Sequence, residues 1–151
     1  EEELAGISSL YGNRKPVFSG QRKLHYGIDI FCKENTPVIA PSNGTVTFSG
    51  KININVDHAR GLLGNYIEIQ HGDTGIVTRY AHLSKVLVKK GDVVKCYQQI
   101  GNVGTTGLST GSHLHYEVIK NGISVNPLNY ILDVRLVDNG KKVFFRRKSG
   151  G

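Results

Sequence analysis

The stretch HLHYEVI at residues 113–119 has the period-two alternation of a half-buried β-strand. Alternate side chains of a strand share a face, so His113 and His115 point the same way, about 6.6 Å apart. Two imidazoles on an accessible face suit a metal ligand beside a catalytic neighbour, or two ligands, although a plain pair of surface histidines remains open. Glu117 shares their face, and we expect it either to support such a site or to be solvated. The opposite face carries residues expected in the core, Leu114, Tyr116 and Val118.

The rest of the chain repeats this pattern in short runs rich in Val, Ile, Thr and Tyr, separated by glycine-containing turns. No window shows a helical stripe of apolar residues. The sequence therefore predicts an all-β protein. The predicted strands are residues 26–32, 37–41, 44–49, 65–71, 76–82, 93–100 and 113–119, and the longer connections are residues 50–64 and 102–112.

Length and charge narrow the class of protein. A chain of 151 residues is the usual size of one domain with one core. No apolar run approaches the roughly 20 residues that span a bilayer, so we expect no transmembrane segment. The net charge of +7 favours polyanionic partners, but five of the basic residues lie in KKVFFRRK at 141–148. No nucleic-acid-binding motif accompanies this charge, and we therefore expect no nucleic acid.

The segment HYGID places His25 and Asp29 four residues apart. In an extended strand their Cα atoms would lie about 13 Å apart, too far to share one ion, so the chain must bend between them. Gly27 lies at the midpoint and tolerates the dihedral angles of a bend. An aspartate flanked by Ile28 and Ile30 is costly unless it is exposed or paired with a cation. Taken alone, the motif is equally compatible with an exposed turn and a surface aspartate.

The remaining histidines have weaker signals. His82 ends the alternating run VTRYAH, where parity places it on the face of Thr78 and Tyr80. Such an isolated histidine is most often structural. His58 and His71 lie in or beside polar turns, and we expect both to be exposed to solvent.

The two cysteines, Cys32 and Cys96, share strand parity with apolar neighbours. We expect both to be small core residues. A disulfide between them in an oxidising compartment is the alternative, and a zinc site that uses a thiolate is a minor one.

The motifs HYGID, YAHL and HLH, with PVIAPSNGTV, GNYIEIQHG, VKKGDVV and IGNVGTTGLSTG around them, resemble the lysostaphin/LytM-type zinc metallopeptidases. The resemblance covers approximately residues 20–130, and several motifs in the right order are more specific than any one of them. It implies antiparallel sheets that form a β-sandwich or hybrid-barrel core, with an active-site groove lined by loops. It also implies a peptidase domain at 25–131, preceded by an approach segment at 1–24 and followed by a basic extension at 132–151.

The resemblance further implies a chemistry. One zinc ion per chain would be held by His25, Asp29 and His115, with His82 and His113 as catalytic histidines. The implied activity is endopeptidase hydrolysis of peptide cross-links in bacterial peptidoglycan, by attack of a zinc-bound water that the two histidines assist. Three protein ligands leave a fourth zinc position open, as catalytic sites require. Whether a glycine bridge or a D-amino-acid cross-link is cut stays open.

The family also sets the expected location and the alternatives. We expect action in the cell envelope, periplasmic or extracellular, with any signal or anchor outside this sequence. The basic residues at 141–148 would hold anionic wall polymers or lipids. Some members of the family that this sequence resembles lose their zinc ligands and activate cell-wall amidases instead, so a regulatory domain is the main alternative. A lipoyl-type carrier or a histidine phosphocarrier is less favoured, because neither explains Asp29.

Overall fold

A computed structural model describes residues 7–9, 11–14, 23–109, 111–127, 131–137 and 142–147, with side chains at 11–12, 26–109 and 111–127. The described elements are short strands with little helix. In chain order they are β1 (Ile7–Ser9), β2 (Gly12–Arg14), β3 (Lys23–His25), β4 (Ile28–Phe31), β5 (Pro37–Ile39), β6 (Gly44–Gly50), α1 (His58–Gly61), β7 (Tyr66–Gln70), a 3-10 turn (Gly72–Thr74), β8 (Ile76–Ala81), β9 (Leu83–Val86), β10 (Val93–Val94), β11 (Gln99–Val103), β12 (His113–Lys120), β13 (Ile123–Val125), β14 (Ile131–Val137) and β15 (Lys142–Arg147).

The larger sheet is antiparallel and has the strand order β1-β4-β12-β8-β7-β6-β10, with β13 also paired to β12. The histidine strand β12 therefore lies inside the sheet, between β4 and β8. Its residue His115 is opposite Asp29 of β4 and Ala81 of β8. This register brings two distant motifs of the sequence to one place.

A second sheet has the order β14-β15-β5-β11-β9, in which only the β5–β15 pairing among the described strands is parallel. One apolar core is built from both sheets. Its fully buried members include Ile28 and Ile30 of β4, Val38 of β5, Ile67 of β7 and Leu114 of β12. The all-β, antiparallel prediction is confirmed, and the domain limits at 24/25 and 131/132 stay predictions.

Six of the predicted strands are confirmed to within two residues at each end. The predicted strand at 93–100 is wrong, because β10 ends at Val94 and β11 begins only at Gln99. Between them the backbone turns, with Tyr97 in the left-handed region at φ 68° and a hydrogen bond from the Gln98 amide to the Lys95 carbonyl. Among the described residues, no helix is both long enough and apolar enough to cross a membrane.

This turn also overturns the expectation for one cysteine. Cys96 is exposed rather than part of the core, because it lies in the turn and not in a strand. Cys32 is buried, as predicted, and burial raises the pKa of its thiol to about 12. Both are free thiols.

The expectation that His71 is exposed is wrong, whereas His58 is exposed as predicted. The His71 ring is 6% exposed and its Nδ1–H donates to the carbonyl of Asn43 at 2.9 Å. Its Nε2 lies 2.7 Å from the hydroxyl of Thr78, which is 2.7 Å from the hydroxyl of Tyr80. Both ring nitrogens therefore have hydrogen-bond partners, and burial of the ring leaves neither of them unsatisfied.

Candidate functional site

Asp29 and His115 meet across the β4–β12 pair. Oδ1 of Asp29 lies 2.8 Å from Nδ1 of His115 and 3.6 Å from Nε2 of His113. The neighbours Ile28 and Ile30 are fully buried on the opposite face, as the alternation predicted. A carboxylate and two imidazoles therefore share one face of the larger sheet.

The bend expected between His25 and Asp29 is present at Gly27, between the end of β3 at His25 and the start of β4 at Ile28. The reason for a glycine at position 27 differs from the expected one: Gly27 does not have a left-handed φ. A Cβ there would instead lie 2.4 Å from the backbone oxygen of Tyr116. The side chain of His25 lies outside the described residues.

His82 is on the site face, and its predicted position beside Thr78 and Tyr80 is wrong. Its ring centroid lies 4.9 Å from that of His113 and 5.8 Å from that of His115. Strand β8 ends at Ala81, and His82 adopts a left-handed φ of 61°, which breaks the alternation. Such a backbone is uncommon outside glycine and costs on the order of 1–3 kcal/mol.

Hydrogen bonds to two backbone carbonyls fix the tautomers of the His82 and His113 rings. Nδ1–H of His82 donates to the Thr106 carbonyl at 2.7 Å, and Nδ1–H of His113 donates to the Gly111 carbonyl at 2.9 Å. In a neutral imidazole the other nitrogen then carries the lone pair. Burial, more than any other cause, lowers the pKa of His82 to about 4, so this ring is neutral near pH 7.

His115 is held by carboxylates on both sides. Its Nε2 lies 2.9 Å from Oε1 of Glu117, opposite the contact with Asp29. Burial alone would lower the pKa of His115, but the hydrogen bonds to Asp29 and Glu117 outweigh it and raise the pKa to about 9. Glu117 is 7% exposed, so of the two expectations for this residue the solvated one is wrong.

A row of polar side chains continues from Glu117 across the sheet. Arg79 of β8 donates from one terminal nitrogen to Oε2 of Glu117 at 2.9 Å and from the other to Oε2 of Glu68 at 2.9 Å. The hydroxyl of Thr47 donates to Oε1 of Glu68 at 3.0 Å. Burial raises the pKa of Glu117, but the hydrogen bond and charge of His115 and the charge of Arg79 outweigh it and lower the pKa. Arg79 and Glu68 were not predicted from the sequence as part of the site, because only the strand order makes them neighbours.

The site opens into a groove of about 470 Å³. The long connection at 50–64 forms part of one wall through α1, whose first turn is capped by the Asp57 carboxylate on the Arg60 amide. Leu108, from the connection at 102–112, is also exposed in this groove. The prediction of a loop-lined groove is confirmed.

The donors available here fit a zinc ion. Carboxylate oxygen and imidazole nitrogen are among its preferred ligands, and two donors of one tetrahedral zinc lie about 3.3 Å apart. Asp29 and His115 would need to separate by only roughly 0.5 Å to share an ion. Among the side chains that the structure describes, no group of three His, Cys, Asp or Glu residues is arranged to hold a metal. The third expected donor, His25, is not among those side chains.

Residues 23–127 match the model of peptidase family M23. Over 123 residues the chain is 42% identical to the peptidoglycan DD-endopeptidase ShyC of Vibrio cholerae, which covers 80% of this chain and 26% of the relative. The chain spans about a quarter to a third of the length of the curated relatives it matches.

Solved structures agree with this match. A zinc-containing peptidase from Vibrio cholerae superposes with a TM-score of 0.72 at 35% identity, covering 83% of this chain and 36% of that one. The catalytic domain of lysostaphin from Staphylococcus simulans superposes with a TM-score of 0.71 at 32% identity, covering 86% and 98%. The resemblance inferred from the motifs is confirmed.

Proposed function

The chain belongs to peptidase family M23, and on that premise we propose that it is a zinc-dependent endopeptidase that hydrolyses peptide cross-links of bacterial peptidoglycan. The observation that carries the proposal is the meeting of Asp29, His113, His115 and His82 on one side of the sheet beside a groove. A relative that is a peptidoglycan DD-endopeptidase and a neighbour that is a zinc-containing peptidase support it.

We assign one zinc ion to His25, Asp29 and His115. When bound, zinc supplies Lewis acidity, which acidifies a water molecule and polarises the peptide carbonyl. Three protein donors would leave one of the four zinc positions for that water molecule. The short distance between Asp29 and His115 means that little rearrangement is needed for these two donors.

His82 and His113 are assigned the proton transfers. Because each ring donates from Nδ1 to a backbone carbonyl, each presents the Nε2 lone pair for proton transfer. One Nε2 takes a proton from the attacking water, and the proton is delivered to the amine nitrogen that leaves. Fixed ring orientation makes these transfers productive, since the carbonyls hold the tautomer before substrate arrives.

Substitution separates these roles. We expect His25→Ala, Asp29→Ala and His115→Ala to lose zinc and activity together, and His82→Ala and His113→Ala to lose activity with zinc retained. Zinc content and muropeptides released from defined cell walls are the two measurements. The released fragments also identify the bond that is cut. His58→Ala, at an exposed ring, is the control for zinc content.

Two results would change these assignments. Stoichiometric zinc without released peptide at any pH would favour the regulatory alternative, a domain that activates an amidase. A zinc-free His113→Ala protein would mean that His113 is a ligand rather than a catalyst.

We further propose that the protein acts in the cell envelope, periplasmic or extracellular. The basic side chains at 141–148 lie outside those that the structure describes, and we propose that they hold anionic wall polymers or lipids. Binding to such surfaces should weaken as salt is added, and salt-independent binding would contradict this assignment.

A further inference from the structure

The two ring nitrogens of His115 face two different carboxylates. Nδ1 lies 2.8 Å from Asp29 and Nε2 lies 2.9 Å from Glu117. Asp29 and His115 are the assigned zinc ligands, so Nδ1 is the nitrogen on the metal side. A neutral imidazole can bind metal through Nδ1 only if its proton is on Nε2.

We propose that Glu117 is a positioning residue for the metal site, which accepts a hydrogen bond from Nε2–H of His115 and so holds the Nδ1 lone pair toward the ion. The proposal rests on the proposed function and adds a residue to it. Carboxylates that accept the outer N–H of a metal-bound histidine fix its tautomer and raise its basicity. Glu117 has the distance and the burial for this role.

Arg79 holds Glu117 in this orientation. Its guanidinium occupies Oε2 of Glu117, which leaves Oε1 for His115. On its other side Arg79 is fixed by Glu68, which is in turn held by the hydroxyl of Thr47. Both oxygens of Glu117 thus have a protein partner, and the carboxylate does not need to turn toward the metal.

Packing reinforces the hydrogen bonds. A Cβ at position 27 would lie 2.9 Å from Cγ of Glu117 and 3.0 Å from Cε1 of His115, so the chain at Gly27 lies directly against both side chains. The pair is therefore enclosed by β8 on one side and by the segment before β4 on the other.

The test measures zinc affinity and the tautomer of His115 in the zinc-loaded chain. Glu117→Ala should weaken zinc binding about 10–100-fold in a chelator competition. Glu117→Gln should fall between this variant and wild type, because its single carbonyl oxygen can face His115 or Arg79 but not both. Long-range ¹H–¹⁵N spectra should show the proton on Nε2 of His115 in wild type and a loss of that signature in Glu117→Ala.

Glu34→Gln is the control. It makes the same chemical change at an exposed carboxylate outside the row that orients Glu117, so zinc affinity should stay unchanged. A folded Glu117→Ala protein with wild-type zinc affinity, or His115 bound through Nε2, would overturn the proposal. If Glu117→Ala does not fold, wild-type affinity in Glu117→Gln decides against it. A wild-type chain that binds no zinc would contradict the proposed function instead.

Discussion

Gly27 tests whether close packing, rather than backbone freedom, is what the HYGID motif requires. In Gly27→Ala the new methyl carbon would lie 2.4 Å from the backbone oxygen of Tyr116, besides its contacts with Glu117 and His115. The oxygen cannot easily move, since Tyr116 is paired to β4 and β8 in the middle of the larger sheet. The variant must therefore displace backbone.

The size of the effect follows from that distance. Real Cβ contacts essentially never fall below 3.0 Å, so the chain at Gly27, directly before β4, must move away from β12 by roughly 0.6 Å. Overpacking of this kind costs about 1–3 kcal/mol. For a domain of this size each kcal/mol lowers Tm by about 2–4 °C, which gives a fall of roughly 2–12 °C. The same displacement separates His115 from Asp29 and should weaken zinc binding.

Thermal unfolding followed by circular dichroism, with and without zinc, measures both effects. Gly111→Ala is the matched control for stability, because a Cβ there meets nothing within 4 Å and its φ is not left-handed. We expect Gly111→Ala to unfold at the wild-type temperature. Equal Tm and equal stabilisation by zinc in the two variants would refute the close-packing explanation for Gly27.

Two further predictions concern groups away from the site. The exposed thiol of Cys96 should react with a thiol reagent in the native protein. Cys32 should react only after unfolding, because it is buried and the pKa of its thiol is raised to about 12. Equal reaction rates would contradict the described burial. His71→Ala should lower the free energy of unfolding by about 1–3 kcal/mol, because Thr78 loses a buried partner. His58→Ala should change it by less than about 0.5 kcal/mol, and equal losses would contradict burial of His71.

The sequence predicts the strands in which polar and apolar residues alternate over several positions. It also predicts that His113 and His115 share one face of the sheet. Both depend on local periodicity. In β4 burial alternates along the strand, whereas in β12 only the faces alternate, because five consecutive residues of β12 are buried. The sequence also predicted a break before Asp29, because one ion cannot be reached from both ends of an extended HYGID segment. Local pattern failed at 93–100, where a turn interrupts two short strands that both carry apolar residues.

Burial of polar side chains could not be predicted in this way, because it depends on partners from distant parts of the chain. His71 follows a strand and precedes a turn, which locally indicates exposure, yet Asn43 and Thr78 enclose its ring. Of the two partners of Glu117, His115 is only two residues away on the same face, but Arg79 is distant in the sequence. Its partner Arg79 becomes adjacent only when β12 pairs with β8.

The position of His82 shows that the register of β8 determines the geometry of the site as well as the packing of the core. Strict alternation would have placed its ring on the face of Tyr80, which packs against Tyr116. The left-handed turn moves the ring to the other face, where the Thr106 carbonyl accepts a hydrogen bond from Nδ1–H and offsets part of the strain. Because side chains alternate with a period of two, a slip of β8 by one residue would remove Arg79 from Glu117 and expose Tyr80 at once. The apolar face of β8 thus fixes the geometry of the polar one.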